Sequence, residues 1–347
     1  MIEVESVHVA GIAAVAPRNR VDNLSIVDDE VFDRESIDAV INKTGIRFRR
    51  IADEQTTAAD LCIRAAQELL THGVTSKERI GTVIFVTQSP DYRIPATAPW
   101  IANKIGLPKE TASFDINLAC SGYVYGLFVA STIAAADAGR DVLLLVGETM
   151  SRLIGKKDKG TTPLFGDAGS ATVLRHDQAS QKSVFDLNSD GAGNMAIYTP
   201  AGAGREPMPA HQADSQGQLS PWLMTMDGIE VFNFTLREIP KSVKRILENA
   251  DNGGQRVDGI VFHQANRMIT DHILKRIKRD FGWIPYSLYD YGNTSSVSIP
   301  LTIVTNLETM PREPGAFLVL TGFGAGLSWA TACVNLSRTA ILPLCEV

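Results

Sequence analysis

Aliphatic runs and helix-spaced segments alternate along this chain. Residues 7–17 form an apolar run broken only by His8 and closed by Pro17, and residues 82–87 and 141–147 are apolar at successive positions inside the polar end residues Thr82, Thr87 and Asp141. Runs without the period-two alternation of a half-buried strand predict strands covered on both faces. Between them, Ala58, Leu61, Ala65, Ala66 and Leu69 recur at helical spacing over residues 57–70, and residues 95–105 also read as a helix. A short alternating strand at 113–116 breaks at Asn117, and from Ser121 to Asp137 the residues are small, aliphatic or aromatic on every side. That pattern predicts a helix buried all round, with Cys120 where the strand turns into it.

Residues 170–174 close this first half, and residues 201–221, rich in Gly, Pro and polar side chains, predict a loop that is a candidate boundary or lid. Beyond it come a predicted helix at 228–249, a strand at 259–263, a helix to about Phe281, another at 295–310, and strands at 316–321 and 329–336. The halves echo one another. Thr82-Val-Ile-Phe-Val86 resembles Gly259-Ile-Val-Phe-His263, and Leu143–Gly147 followed by Gly166–Val173 resembles Leu318–Gly322 followed by Gly324–Thr331.

At 347 residues the chain has room for one large or two ordinary domains, and its net charge of −6 argues against a nucleic-acid binder that relies on bulk positive charge. Cys62, Cys120, Cys333 and Cys345 form no CxxC pair, so neither a zinc site nor a disulfide framework is indicated and a reducing cytoplasm is the simplest home. The first residues, Met1-Ile-Glu-Val-Glu-Ser6, are acidic, and no uncharged apolar run reaches the roughly 20 residues needed to span a bilayer.

Three residues are candidates for chemistry. Cys120 precedes a helix whose first N–H groups carry partial positive charge, a setting that favours thiolate, as would a neighbouring imidazolium. His263 ends a buried strand, where open sheets place their chemistry, and Asn293 lies in the turn-like Gly292-Asn-Thr-Ser295. Taken singly, each also reads as ordinary structure: a small buried cysteine, a satisfied core histidine, a turn and helix cap. His8, His72, His176, His211 and His272 have weaker contexts.

Together, Ala119-Cys-Ser-Gly122, His263-Gln-Ala-Asn266, Gly292-Asn-Thr-Ser295 and the glycine-rich Gly322–Trp329 resemble the signature segments of beta-ketoacyl-acyl-carrier-protein synthase III, a branch of the thiolase superfamily. Lys43-Thr-Gly-Ile-Arg47 and Leu164–Gly169 extend the resemblance over nearly the whole chain. It implies an α/β protein with the thiolase-like duplicated αβαβα layered fold, residues 1–180 carrying the nucleophilic cysteine and residues 181–347 the histidine and asparagine, and a homodimer. It further implies a decarboxylating Claisen condensation: an acyl starter moves from a thioester to Cys120, a malonyl thioester on carrier protein loses carbon dioxide, and the enolate, held by His263 and Asn293, attacks the acyl-cysteine. The implied oxyanion donors are the backbone of Cys120 and of the Gly324-Ala325-Gly326 loop. No metal or redox cofactor is required; coenzyme A or carrier-protein phosphopantetheine thioesters are substrates.

The remaining implied sites depart from the family in places. Ala39 stands where many members have a tryptophan that stacks on adenine, and Lys43 and Lys159 match the accompanying arginines, keeping charge but losing planar, bidentate phosphate binding. Asn266 matches a residue of the pantetheine tunnel, and Ile94 a position that limits acyl length from the neighbouring subunit. Ile269, Ile273, Ile277 and Phe281 predict a buried stripe, with Lys275 and Arg276 at basic carrier-protein docking positions and Arg267 close by; a solvated face is the simpler reading of the same charges. Papain-like proteases share the order Cys, His, Asn, but their Cys-Gly-Ser-Cys-Trp context is missing. Three rivals remain: acyl transfer from Cys120 to a hydroxyl or amine, a non-decarboxylating condensation needing a further carboxylate base, and a non-enzymatic subunit, for which an intact Cys120, His263 and Asn293 would have no use.

Overall fold

The computed structural model describes residues 1–28, 30–207, 221–311 and 316–347. Two sheets form, one largely from each half. The first runs in the order Ala340–Ile341, Val7–Ala16, Asp167–His176, Asp141–Thr149, Ile80–Val86, Ala112–Ile116, with Cys345–Glu346 also pairing to Val7–Ala16. The second runs Ile2–Val4, Ser183–Ser189, Ser328–Asn335, Phe317–Gly324, Gly259–Phe262. The chain ends are exchanged: Ile2–Val4 pairs with Ser183–Phe185 of the second half, and the last strands join the first sheet.

The echo between the halves is topological. Val7–Ala16, Asp167–His176, Asp141–Thr149 and Ile80–Val86 are joined antiparallel, antiparallel and parallel, and so are Ser183–Ser189, Ser328–Asn335, Phe317–Gly324 and Gly259–Phe262. Each matched pair of sequence segments therefore occupies equivalent strands of the two sheets. Three hydrophobic clusters separate the layers. Leu61, Ala65 and Leu69 of helix Ala58–Thr71 and Ile101 of helix Ala98–Ile105 cover the outer face of the first sheet, and Ile239, Val243 and Ile273 of helices Gly228–Asn252 and Arg267–Ile277 cover the second. Helices Gly122–Ala136 and Ser298–Thr305 are buried between the sheets. This is the five-layered αβαβα arrangement that the resemblance implies.

Helix Gly122–Ala136 is largely apolar because most of it is buried or half-buried against protein, with Thr132 and Ala136 exposed. Tyr123 and Tyr125 pin it to both sheets: Tyr123 Oη lies 3.2 Å from Thr172 Oγ1 in the first, and Tyr125 Oη donates to the Asn188 carbonyl of the second at 2.9 Å. At Gly126 the helix lies so close to the first sheet that a Cβ would come within 2.8 Å of Leu144 and 2.9 Å of Val86, so any larger residue would lift it off.

Several boundaries differ from expectation. The helix after His263 stops at Ile277, where Lys278 turns to φ 57°, so Phe281 lies beyond it and the buried stripe ends with Ile277. The expected helix at 295–310 is broken into a 3-10 turn Ser295–Val297, helix Ser298–Thr305 and a second turn Leu307–Thr309. The loop at 201–221 falls largely on residues 208–220, outside the described residues; its ends are joined by Ala201 N–H donating to the Pro221 carbonyl at 2.8 Å. Among the described residues no helix is long and apolar enough to cross a membrane.

Candidate active site

Cys120, His263 and Asn293 line one cavity, although each comes from a different segment. Cys120 follows strand Ala112–Ile116 and precedes Ser121, the cap of the central helix. His263 directly follows strand Gly259–Phe262, and its N–H donates to the Thr321 carbonyl of the neighbouring strand at 2.7 Å. Asn293 is held by its backbone, donating to Leu164 at 2.8 Å and accepting from Gly166 at 3.0 Å, so the Leu164–Gly169 segment supports the second half's asparagine.

The side chains are oriented as donors. Asn293 Oδ1 accepts the Ser295 N–H at 2.9 Å, which fixes the amide so that Nδ2 is the face left for the cavity. His263 Nδ1 lies 2.7 Å from Ser298 Oγ, and that hydroxyl already accepts the Gln264 N–H at 3.2 Å. Its own proton is thus available to Nδ1, which leaves the tautomer with hydrogen on Nε2. Phe323 meets the imidazole edge-on at 5.4 Å between ring centres, restricting its rotation.

The charge state differs from the sequence expectation. Burial pushes the Cys120 thiol up to about 12, with the Ser295 hydroxyl 3.7 Å from Sγ pulling the other way and the Glu148 carboxylate adding to the rise. Burial likewise drives His263 down to about 3. Removal from water thus favours the neutral thiol and the neutral imidazole. There is no resting imidazolium to stabilise a thiolate.

Gly324 packs directly on the nucleophile. A Cβ there would lie 2.9 Å from Cys120 Cβ and 3.0 Å from its Sγ. Gly324→Ala is expected to displace the thiol and slow acyl uptake by roughly 10- to 100-fold, read by intact-protein mass against time; uptake at the unaltered rate would mean that the loop yields. Gly324 and Ala325 line the cavity, whereas Gly326 is turned away at φ 135° against Ser328.

Residues 114–193 match the family 3-Oxoacyl-[acyl-carrier-protein (ACP)] synthase III, and residues 247–336 match 3-Oxoacyl-[acyl-carrier-protein (ACP)] synthase III C terminal. The chain is 33% identical over 303 residues to the beta-ketoacyl-[acyl-carrier-protein] synthase III of Desulfitobacterium hafniense (strain Y51), covering 87% of this chain and 90% of that protein. It belongs to the beta-ketoacyl-[acyl-carrier-protein] synthase III family. A putative 3-oxoacyl-[acyl-carrier-protein] synthase 3 of Campylobacter jejuni is 34% identical over 338 residues, 94% of this chain and 93% of that one. A crystal structure of the 3-oxoacyl-(acyl-carrier protein) synthase from Burkholderia xenovorans LB400 superposes with a TM-score of 0.91 at 36% identity, covering 100% and 98% of the two chains. The priming β-ketosynthase of the R1128 polyketide pathway superposes at 0.76 with 25% identity, covering 96% and 97%. The thiolase-like fold of this family is the fold described above.

The remaining candidates scatter around the cavity and beyond it. Asn266 lines the cavity and caps helix Arg267–Ile277, its Oδ1 accepting the Ile269 N–H at 2.8 Å. Lys43, in the last turn of helix Arg34–Thr44, and Lys159 are exposed and do not line the cavity. Ile94 is 89% exposed and does not line it either, so within one chain it closes no acyl pocket. Arg267 pairs with Asp271 and stacks over Tyr286 at 4.2 Å. Arg276 repairs a gap in a neighbouring helix. Pro240 lacks the N–H that would bond the Leu236 carbonyl within helix Gly228–Asn252, and Arg276 Nη1 donates to that carbonyl at 3.0 Å. Lys275 is exposed in the last helical turn.

Sequence reasoning missed the cavity's far wall, where Met150, Leu164, Phe165, Ile197, Met224 and Met226 gather. Met150 follows the strand Asp141–Thr149 and Met224 and Met226 follow the 208–220 stretch, so no local pattern joins them. Glu148 was also missed. It ends an apolar run, the same signal that singled out His263.

Proposed function

We infer that this chain catalyses the decarboxylating Claisen condensation of an acyl thioester with a malonyl thioester, giving a beta-ketoacyl thioester through an acyl-Cys120 intermediate. The observation that carries the reading is the convergence of the Cys120 thiol with two neutral donor side chains, His263 and Asn293, on one cavity beside the Gly324 backbone.

In this reading Cys120 Sγ attacks the acyl thioester carbon, and the thiol proton ends on the departing coenzyme A or carrier-protein thiol. Backbone N–H groups of Cys120 and of Gly324 and Ala325, the two residues of the 324–326 loop that line the cavity, steady the oxyanion. The malonyl thioester then loses carbon dioxide. His263 Nε2–H and Asn293 Nδ2–H, both uncharged donors in a site withdrawn from water, hold the enolate oxygen as charge develops there. The enolate carbon attacks the acyl-cysteine carbonyl, the tetrahedral adduct collapses, and the released thiolate takes up a proton. A neutral donor pair suits this step, since each donor stabilises the enolate without the desolvation cost of a resting buried cation.

The methionine-lined wall supports an apolar starter acyl group, which flexible thioethers accommodate at several lengths. Lys43, Lys159 and Asn266 are proposed to contact the phosphopantetheine or nucleotide arm, and Lys275, with Arg267, to meet acidic carrier protein. Ile94 is proposed to act only across a homodimer, where its exposed side chain would find a partner.

The test is a two-stage reaction followed by intact-protein mass and gas release. Acyl-coenzyme A and acyl-carrier-protein donors of graded length are expected to add their acyl mass, and malonyl carrier protein to discharge it with one carbon dioxide per acyl group. An adduct discharged to an alcohol or amine, with no carbon dioxide, would replace the condensation by simple acyl transfer.

A further inference from the structure

Glu148 is fully buried at the end of strand Asp141–Thr149, and its partners are neutral groups from two directions. From the first half, the Gln88 N–H donates to Oε1 and Oε2 at 3.2 Å each, Ser89 Oγ donates to Oε2 at 3.0 Å, and Thr87 Oγ1 to Oε2 at 3.4 Å. From the second half, Ser296 Oγ donates to Oε1 at 3.0 Å. Ser89 Oγ also accepts the Thr149 N–H at 2.9 Å, and Thr87 Oγ1 accepts the Ser89 N–H at 3.0 Å and lies 3.3 Å from Ser89 Oγ, so the two hydroxyls form one network with the carboxylate.

These contacts lead to the nucleophile from both sides. Gln88 lines the cavity, and its Nε2 approaches Asn117 Oδ1, in the turn before Cys120, at 3.4 Å. Ser296 follows Ser295, whose hydroxyl is 3.7 Å from the Cys120 thiol and whose N–H is held by Asn293 Oδ1. Ser295 stands at φ 51°, a conformation an L-residue keeps only when its surroundings hold it.

We propose that Glu148 is a positioning residue, its carboxylate binding the Gln88 loop of one half to the Ser295–Ser296 turn of the other and so setting Asn293 and Ser295 against the acylated cysteine. The inference rests on the condensing reading above. A purely apolar residue would fill the space but hold neither segment, and the Gln88 N–H and the Ser296 hydroxyl would lose the acceptor they share. The thiols of Cys120 and Cys62 both feel its charge, and burial raises the carboxyl itself to about 7 despite these donors.

The experiment compares wild type, Glu148→Gln, Ser296→Ala and Asn293→Ala in three assays: acyl uptake, single-turnover discharge of the preformed acyl-enzyme by malonyl carrier protein, and the pH profile of iodoacetamide alkylation without substrate. Glu148→Gln is expected to slow discharge by about 10- to 100-fold while acyl uptake changes by less than about threefold, and to move the alkylation profile to lower pH because a negative charge beside the thiol is gone. Ser296→Ala, which leaves the carboxylate in place, is expected to slow discharge with the alkylation profile little moved, and it carries the test if Glu148→Gln does not fold. Discharge at the wild-type rate in both variants, while Asn293→Ala loses it, would overturn the role of Glu148. Discharge unimpaired in Asn293→Ala as well would remove Asn293 from the enolate site and with it the group Glu148 is proposed to set, whereas a wild-type acyl-enzyme that malonyl carrier protein does not discharge would overturn the condensing reading instead.

Discussion

Cys120→Ala takes up no acyl group from any donor, and condensation falls by roughly 10⁴-fold or more, the scale on which removal of a covalent nucleophile acts. The side chain removed is small and faces the cavity, so the fold survives and the loss is chemical. No other cysteine substitutes for it. Cys62 and Cys333 are buried away from the cavity that Cys120 lines, and Cys345 lies 3.4 Å from Arg64 Nε, pairing with strand Val7–Ala16, also outside that cavity. Intact-protein mass after acyl-donor exposure checks the prediction, and an adduct of full stoichiometry in Cys120→Ala would remove this residue from the mechanism. The same thiol carries a pH signature. With its proton held to about 12, the thiolate fraction in neutral and mildly alkaline buffer still climbs about tenfold per pH unit, so alkylation of Cys120 is expected to rise with pH without a plateau near neutrality.

Asn293→Ala separates the two half-reactions. The amide takes no part in thiol attack, so acylation is expected to persist. Decarboxylation loses one of its two enolate donors and falls by about 100- to 1000-fold. The alanine variant also frees the Ser295 N–H, which Asn293 Oδ1 holds at 2.9 Å, so part of its effect would come from the turn. Asn293→Asp resolves this. An aspartate keeps an oxygen for Ser295 and places a second acceptor where the enolate needs a donor, so its discharge rate is expected to fall at least as far as that of the alanine variant. The measurement is carbon dioxide release from malonyl carrier protein by the preformed acyl-enzyme. Release at the wild-type rate in Asn293→Asp would exclude the amide as an enolate donor.

These two positions also illustrate how the halves depend on each other. Cys120 is supplied by the first half, yet its thiol is enclosed by Gly324 and Ser295 of the second. Asn293 is supplied by the second half, yet its backbone is bonded to Leu164 and Gly166 of the first. Duplication of one layered unit thus leaves a site that neither unit completes alone.

What the sequence determined by itself was whatever local periodicity and short motifs encode. The uninterrupted aliphatic runs are strands covered on both faces, and residues 121–137, apolar on every side, form the central helix Gly122–Ala136 because that segment is walled in by two sheets. Cys120 at a strand-to-helix turn, His263 at a strand end and Asn293 in a Gly-Asn turn were identifiable because chemistry at the carboxyl ends of strands needs such breaks in the pattern. The tertiary structure alone decided the charge state of the site. Helix position suggested a thiolate, but a thiol's proton affinity follows how much water the whole fold removes, and that is set by residues more than a hundred positions away. It also decided that Arg276 serves the carbonyl freed by Pro240, that the methionine wall assembles from segments with no shared pattern, and that Glu148 joins residues 87–89 to residue 296. Each depends on contacts between distant parts of the chain, and a one-dimensional pattern of polarity records none of them.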